Sequence, residues 1–295
     1  MNYIYSIIIP HYNIPELLVR CLKSIPVRED IQVIVVDDCS PNADTYKERF
    51  PEIFSRPNLE WYSTSIGGSA GRARNIGLEH ASGKWVLFAD ADDFYVPNMY
   101  EILSSHANDD VDVIYFKADS VDTITLLPSD RHLGRNESLD LYISGEASNI
   151  EAILHFTVVW STMYSKKFII DSNIKFDATL CGNDIMFAVK AAHKSQKYKY
   201  IDEILYVITY RENSLHDSKT KSYQHYVTQH SVDARLCKYC KQEGINYKKP
   251  PCVLRDIYIT YTIFGVKAAI FHFKMALKDK ALTLGLKEYL VRKIL

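Results

Sequence analysis

Trp85-Val86-Leu87-Phe88-Ala89-Asp90-Ala91-Asp92-Asp93 is the stretch on which the fold turns. A short apolar run closed by polar residues fits a strand buried on both faces, as in a parallel sheet. Three carboxylates follow within four positions, and like charges so close repel unless something positive shares their space. Hard divalent cations such as Mg2+ or Mn2+ prefer oxygen ligands and bind through one or two carboxylates plus substrate phosphates. The plain alternative is a solvated acidic turn, since most exposed charges need no function. The segments on either side decide between the two.

Upstream, short apolar runs alternate with helical patterns. Tyr3–Ile9 reads as a strand, and Pro15–Ile25 as a helix with Pro at its start, where the missing N–H costs little. Ile31–Asp37 is a β-branched strand and Leu59–Ser63 a third. Ser69–His80 is a helix entered through Gly67-Gly68, and Lys84–Asp90 is the fourth strand. This order predicts a doubly wound α/β domain, whose ligands bind outside the carboxyl ends of the strands. Three polar turns fall at those ends: Pro10-His11-Tyr12-Asn13, Asp37-Asp38-Cys39-Ser40 and Asp90–Asp93. Three such turns on one rim describe a site.

Downstream the pattern loosens. Strand-like segments at Val111–Lys117 and Thr123–Leu127 precede a polar loop running to about Ser148. A strand at Val158–Tyr164, a helix at Asp184–His193 and a strand at Tyr206–Tyr210 follow. Two helices are then expected, Tyr223–Gln242 and Val253–Leu277, parted by Lys248-Lys249-Pro250-Pro251.

At 295 residues, 47% hydrophobic and 24% charged, the chain has the composition of a globular protein with a sizeable core. Its net charge of −1 hides an asymmetry. Residues 1–218 hold 20 Lys and Arg against 31 Asp and Glu, whereas residues 219–295 hold 15 against 5. A basic tail on an acidic body points to an anionic partner for the tail, or to complementarity between tail and body. The chain opens directly as a strand, so no secretory leader is expected. The longest apolar stretch of the tail, Ile257 to Val266, is ten residues, against about 20 needed to span a bilayer. The six cysteines (21, 39, 181, 237, 240 and 252) are then expected as reduced thiols in a cytosolic compartment. Cys237 and Cys240 form a CxxC without a matching second pair, which zinc would want.

Two nucleotide motifs fail. No glycine stands between Ile9 and Gly67, as a dinucleotide fold would need after its first strand, and Gly67-Gly68-Ser69-Ala70-Gly71-Arg72 lacks the P-loop lysine. What stands there instead resembles the nucleotide-sugar-binding half of family 2 glycosyltransferases of the GT-A fold. Five strings carry the resemblance, in order over some 90 residues. They are Ser6-Ile7-Ile8-Ile9-Pro10-His11-Tyr12-Asn13, Val33-Ile34-Val35-Val36-Asp37-Asp38-Cys39-Ser40, Gly71-Arg72-Ala73-Arg74-Asn75-Ile76-Gly77-Leu78, Ala81-Ser82-Gly83-Lys84-Trp85-Val86 and Phe88–Asp93.

The resemblance implies a GT-A catalytic domain over residues 1–217, with a nucleotide-sugar half (1–110) and an acceptor half (111–217). A helical, basic C-terminal extension (218–295) would follow. It implies that Asp38 accepts from the ring N–H of the base, with Pro10 and Tyr12 lining the base pocket. Asp90 and Asp92 correspond to the DxD pair, one near the ribose and one holding Mn2+ or Mg2+ on the diphosphate, with Asp93 sharing the metal. Of Arg72 and Arg74, which point to different helix faces, Arg74 is the one expected to reach the nucleotide. Gly182-Asn183-Asp184-Ile185-Met186-Phe187 is similar to the family's base-bearing string, with Asn183 in place of Glu, and makes Asp184 the catalytic base. A helix start is the structural reading of the same residues. His216, in Tyr210-Arg211-Glu212-Asn213-Ser214-Leu215-His216, is similar to a late metal-ligating histidine. Trp160 resembles a tryptophan near the acceptor, and a core packing role fits it equally.

The expected function is metal-dependent, inverting transfer of a sugar from a nucleoside diphosphate, UDP first among the candidates, to a glycan or lipid-linked glycan hydroxyl. The chain would work in the cytoplasm, peripheral on the inner membrane face, with an anionic membrane surface as partner of the extension and no nucleic acid. The alternatives are a non-catalytic nucleotide- or glycan-binding protein on this fold, and a nucleotidyltransferase.

Overall fold

Every residue of β1 (Tyr5–His11) and β2 (Ile31–Asp37) is buried. Successive strand side chains point to opposite faces, so strands buried throughout need cover on both sides. The computed structural model of the chain, which describes residues 3–155, 157–210, 222–246 and 253–278, supplies that cover with helices. The chain packs as two compact units, Met1–Thr179 with Phe187–Arg211, and Leu180–Met186 with Glu212–Leu295.

In the first unit β1 leads through α1 (Pro15–Ser24) to β2. The short helices α2 (Tyr46–Arg49) and α3 (Pro51–Phe54) precede β3 (Leu59–Ser63), and α4 (Ala70–His80) precedes β4 (Trp85–Phe88). Then come β5 (Phe94–Tyr95), α5 (Met99–Ser105), β6 (Val113–Asp122), α6 (Leu133–Ile143) and α7 (Asn149–His155). The unit continues through β7 (Thr162–Ser165), α8 (Lys166–Asp171), α9 (Ile185–Lys194), which starts in the other unit's segment, and β8 (Tyr198–Tyr210). All eight strands form one sheet in the order β3-β2-β1-β4-β7-β6-β8-β5. The first four are mutually parallel; β7 runs against β4 and β6, while β8 runs parallel to β6 and against β5.

Alternation along the strands divides the core. Ile7, Ile9, Val33, Val35 and Leu87 face one side with Leu18 of α1 and Leu103 of α5. Ile8, Ile34, Val36 and Phe88 face the other with Ala73 of α4, Phe168 of α8 and Phe187 of α9. Chain order reverses between β1 and β4, the switch point where open α/β sheets bind ligands.

The expected elements differ from the observed ones mostly after residue 110. Of the two short strands expected, the one at 111–117 is part of a ten-residue strand, β6, whereas 123–127 forms a turn and irregular chain beyond its end. The polar stretch to Ser148 contains α6, whose buried residues are Arg135, Ser138 and Leu139. A helix that buries an arginine and a serine shows no apolar period, which is why hydrophobic patterning reads it as a loop.

The second unit holds α10 (Tyr223–Gln242), α11 (Val253–Phe264) and α12 (Val266–Lys278). The single helix expected from Val253 breaks at Gly265, whose φ of 83° belongs to the left-handed region that glycine alone enters freely.

Candidate active site

Parallel register sets the rim. His11 pairs with Asp37, Asp37 with Ser63, and Ile8 with Phe88. The chain therefore leaves β1, β2 and β4 at the same edge, carrying Tyr12, Asp38 and Asp90 with it. Pro10 is buried within β1, and Tyr12 is 55% exposed on the turn beyond it. Side-chain bonds tie the first two turns together. His11 Nδ1 lies 2.8 Å from Asp37 Oδ1; Ser40 donates to Asp37 through its N–H (2.8 Å) and Oγ (2.5 Å), and Asn13 N–H donates to Ser40 Oγ at 2.7 Å. Burial alone would raise the Asp37 pKa, but the bonds from His11 and Ser40 outweigh it and hold the carboxyl below its usual range.

Asp38 makes contacts that the sequence did not announce. Its Oδ2 accepts the N–H groups of Gly68 and Ser69, both at 2.7 Å, and its Oδ1 accepts from Thr64 Oγ1 at 2.9 Å. It thereby clamps the glycine turn that opens α4. A Cβ on Gly67 would stand 2.9 Å from the Asp38 carbonyl oxygen, so only glycine fits there. A carboxylate offers about four acceptor positions, which leaves room for one ring N–H beside the three protein donors.

Ser69 caps α4, accepting from Arg72 N–H at 3.3 Å. The two arginines of α4 do part as i and i+2 should. Arg72 turns back to the carbonyls of Ile66 and Gly67. Arg74 is buried and donates Nη2 to Asp90 Oδ1 at 2.6 Å.

The acidic loop is held by its backbone. Asp90 N–H donates to Tyr206 Oη at 2.8 Å, and the Asp92 carbonyl accepts from Arg20 Nη2 (2.6 Å) and Thr209 Oγ1 (2.9 Å). Asp90 and Asp92 remain only partly buried at the rim. Asp93, expected to share a metal, turns the other way. It is 5% exposed, and its Oδ1 accepts Thr209 N–H at 2.7 Å. Burial first, then the charges of Asp92 and Asp90, push its pKa well above the usual carboxylate range. Trp160 stacks on Tyr206 (5.8 Å, 12°) and is 8% exposed, so it supports the loop from within the core.

One unit thus brings Pro10, Tyr12, Asp38, Arg74, Asp90 and Asp92 to a common edge. Asp184 stands half-buried just before α9, in the segment Leu180–Met186 of the other unit, and His216 lies outside the described residues. Among the described residues no three His, Cys, Asp or Glu side chains form a metal cage. Two rim carboxylates still fit a Mg2+-type site, which completes its shell with substrate phosphate and water. Arg20, Thr64, Tyr206 and Thr209 escaped sequence reading. Each acts on a partner at least 26 positions away in the chain, and no local spacing marks such a contact. A hollow of about 900 Å3 lies elsewhere, lined by Gly83, Lys84, Asp110 and Lys166 around the start of β4, and it shares no residue with this rim.

The family model described as glycosyl transferase family 2 matches residues 6–171. The chain is 31% identical over 217 residues to the uncharacterized glycosyltransferase YibD of Escherichia coli, an alignment covering 68% of this chain and 60% of that protein. Among solved structures, Staphylococcus aureus TarS 1–349 in complex with UDP-GlcNAc superposes with a TM-score of 0.61 at 22% identity, over 80% of this chain and 66% of that one. The mannosyltransferase PcManGT from Pyrobaculum calidifontis, in complex with GDP-Man and Mn2+, gives 0.57 at 15% identity, over 94% and 76%. At these identities the likeness is one of fold, and that fold is the GT-A type with a helical C-terminal region.

Proposed function

Because the chain belongs to glycosyl transferase family 2, we propose that it moves a sugar from a nucleoside diphosphate, UDP in the first instance, to a hydroxyl of a glycan or lipid-linked glycan. The observation that carries this reading is the acidic loop: backbone pinned by Tyr206, Thr209 and Arg20, carboxylates of Asp90 and Asp92 left at the switch point, Arg74 beside them. Support comes also from the nucleotide sugars in the structural neighbours TarS and PcManGT.

On this reading Tyr12 stacks on the base, as a ring beside a base does without regard to sequence, and Asp38 takes the ring N–H with its remaining lone pair. Arg74 holds Asp90 in place and adds positive charge on the diphosphate side. Asp92, with Asp90, holds Mn2+ or Mg2+, which when bound neutralises charge on the departing diphosphate. Asp184 takes the proton of the acceptor hydroxyl as that oxygen bonds to the anomeric carbon and the diphosphate leaves from the opposite side, inverting the centre. The acceptor is met on the cytoplasmic membrane face. The Asn183 that replaces the family's glutamate alters acceptor contacts rather than the proton acceptor.

The test is titration calorimetry of UDP with and without Mn2+. Asp92→Asn abolishes the metal-dependent part of binding, and Asp93→Asn, its side chain turned away, keeps it. Asp184→Asn binds donor normally and loses transfer and donor hydrolysis. UDP binding indifferent to Mn2+ in the parent, or equal losses at Asp92 and Asp93, sinks the assignment.

A further inference from the structure

Helix α12 carries two exposed stripes that nothing in the transfer reaction uses. Val266, Ile270, Phe273 and Leu277 recur at i, i+4, i+7 and i+11, and are 59%, 51%, 42% and 51% exposed. Residues so spaced share one face of a helix. Single exposed aliphatic residues need no explanation, but four in line form a patch. Lys267, Lys274 and Lys278 run beside them, also at i, i+7 and i+11 and also exposed. The face turned to the protein holds only Ala269, His272 and Ala276 as buried residues, and α12 contains no Asp or Glu.

We propose that α12 docks on an anionic lipid bilayer, lying in the headgroup plane with its apolar stripe inserted. Length separates lying on a membrane from crossing it: 13 residues span about 20 Å against a hydrocarbon core of about 30 Å. No helix among the described residues is long and apolar enough to cross. An amphipathic helix with aliphatic and aromatic residues on one side and lysines at its flank binds such an interface through buried area and attraction to acidic lipid. The lysine stems lie along the apolar zone while their ammonium groups reach the phosphates. Charge selects this occupant over the others. A nucleic acid has no use for the Val266–Leu277 stripe, and a second α12 would set lysine row against lysine row. On α11, Leu254, Tyr258 and Tyr261 form a similar exposed stripe at i, i+4 and i+7, and tyrosine favours the headgroup level.

The inference concerns the helical unit and is read without any sugar substrate, so it stands or falls apart from the transfer reaction. The full chain is spun with vesicles of phosphatidylcholine alone and of phosphatidylcholine with phosphatidylglycerol, at low and high salt. The expected result is binding to the acidic vesicles only, weakened by salt. Lys267→Glu with Lys274→Glu lowers partitioning by at least about tenfold, since each lysine near acidic lipid contributes about 1 kcal/mol. Ile270→Ser with Phe273→Ser lowers it by a similar factor without changing helix content by circular dichroism, because both side chains are exposed. Equal binding by parent and both variants overturns the proposal, as does a parent that ignores acidic vesicles. A parent that instead dimerises through this face, shown by Ile270→Ser with Phe273→Ser becoming monomeric in sedimentation equilibrium, overturns it too. The salt response of the unmodified chain decides the matter even if a variant misfolds.

Discussion

Two buried tyrosines in edge-to-face contact, Tyr206 and Tyr95 (5.1 Å, 79°), give a sharp test of how the acidic loop is held. Both rings are fully packed, at 0% and 2% exposure. The Tyr206 hydroxyl accepts Asp90 N–H at 2.8 Å and bonds to the Asp93 carboxyl. The Tyr95 hydroxyl is buried with no hydrogen-bond partner. Removing each oxygen should therefore have opposite consequences. In Tyr206→Phe the ring keeps its stacking on Trp160, but the Asp90 N–H loses its acceptor. A buried donor left unsatisfied costs about 1–3 kcal/mol. For a unit of about 200 residues each kcal/mol moves the melting temperature by roughly 2–4 °C, so a fall of roughly 2–12 °C is expected. Tyr95→Phe deletes a hydroxyl that was desolvated for nothing, and should melt within about 2 °C of the parent or above it. The same pair separates in function. With Asp90 no longer pinned, UDP binding in the presence of Mn2+ should weaken at least about tenfold in Tyr206→Phe, a difference of about 1.4 kcal/mol, and stay unchanged in Tyr95→Phe. Scanning calorimetry and titration calorimetry read both. Two variants alike in melting temperature and UDP affinity would show that the hydroxyl does not position the loop.

Two further outcomes follow from the same structure. Cys39 is an exposed thiol in the turn that carries Asp38, so its alkylation should slow at least about threefold when UDP is bound, whereas buried Cys21 should not react in the folded chain; mass spectrometry of labelled peptides reads it, and identical Cys39 rates with and without UDP would place the base elsewhere. In the helical unit, burial and the neighbouring His230 lower the His272 pKa to about 4, while burial raises Asp233 to about 6. Between pH 6.5 and 4 the unfolded chain alone protonates at His272, which destabilises the fold as pH falls, and the folded chain alone protonates at Asp233, which does the reverse. Asp233→Asn removes the opposing member, so its melting temperature should fall more steeply than the parent's between pH 6.5 and 4; parallel curves would count against the pairing.

The first four parallel strands and their rim were legible because their logic is local. Strands β1, β2 and β4 announce themselves as β-branched or apolar runs, and polar turns at their ends mark the rim. Even the split between Arg72 and Arg74 follows from helical spacing alone. Legibility ends where a residue's role is set by a partner distant in the chain. Nothing beside Asp93 tells that its carboxyl will meet Thr209 N–H, 116 positions on, instead of the rim. The same blindness hid α6, whose buried Arg135 donates to Thr162 Oγ1 at 3.1 Å from a helix without an apolar stripe. It also hid the break at Gly265, which a residue count treats as one glycine inside a helical run.

The inward turn of Asp93 makes electrostatic sense of a motif that otherwise looks overcharged. Three ionised carboxylates side by side would repel one another strongly, since the interaction of like charges grows as water is excluded. The structure disperses that repulsion in three ways. Arg74, 2.6 Å from Asp90, supplies a counter-charge. Asp93 is folded into the core, where burial and the charges of Asp92 and Asp90 push its pKa up and Thr209 N–H holds its carboxyl. Asp92 is only partly buried at the rim, its carbonyl gripped by Arg20 and Thr209. With Asp93 folded away, the rim displays Arg74 beside two carboxylates, Asp90 and Asp92. A divalent cation held there would keep more of its positive charge for a diphosphate than one held by three displayed carboxylates, which would also repel the phosphates. An acidic loop with one member folded away is therefore better matched to a cation shared with substrate than one with all three displayed, and the rigid backbone beneath it fixes the two that remain before the donor arrives.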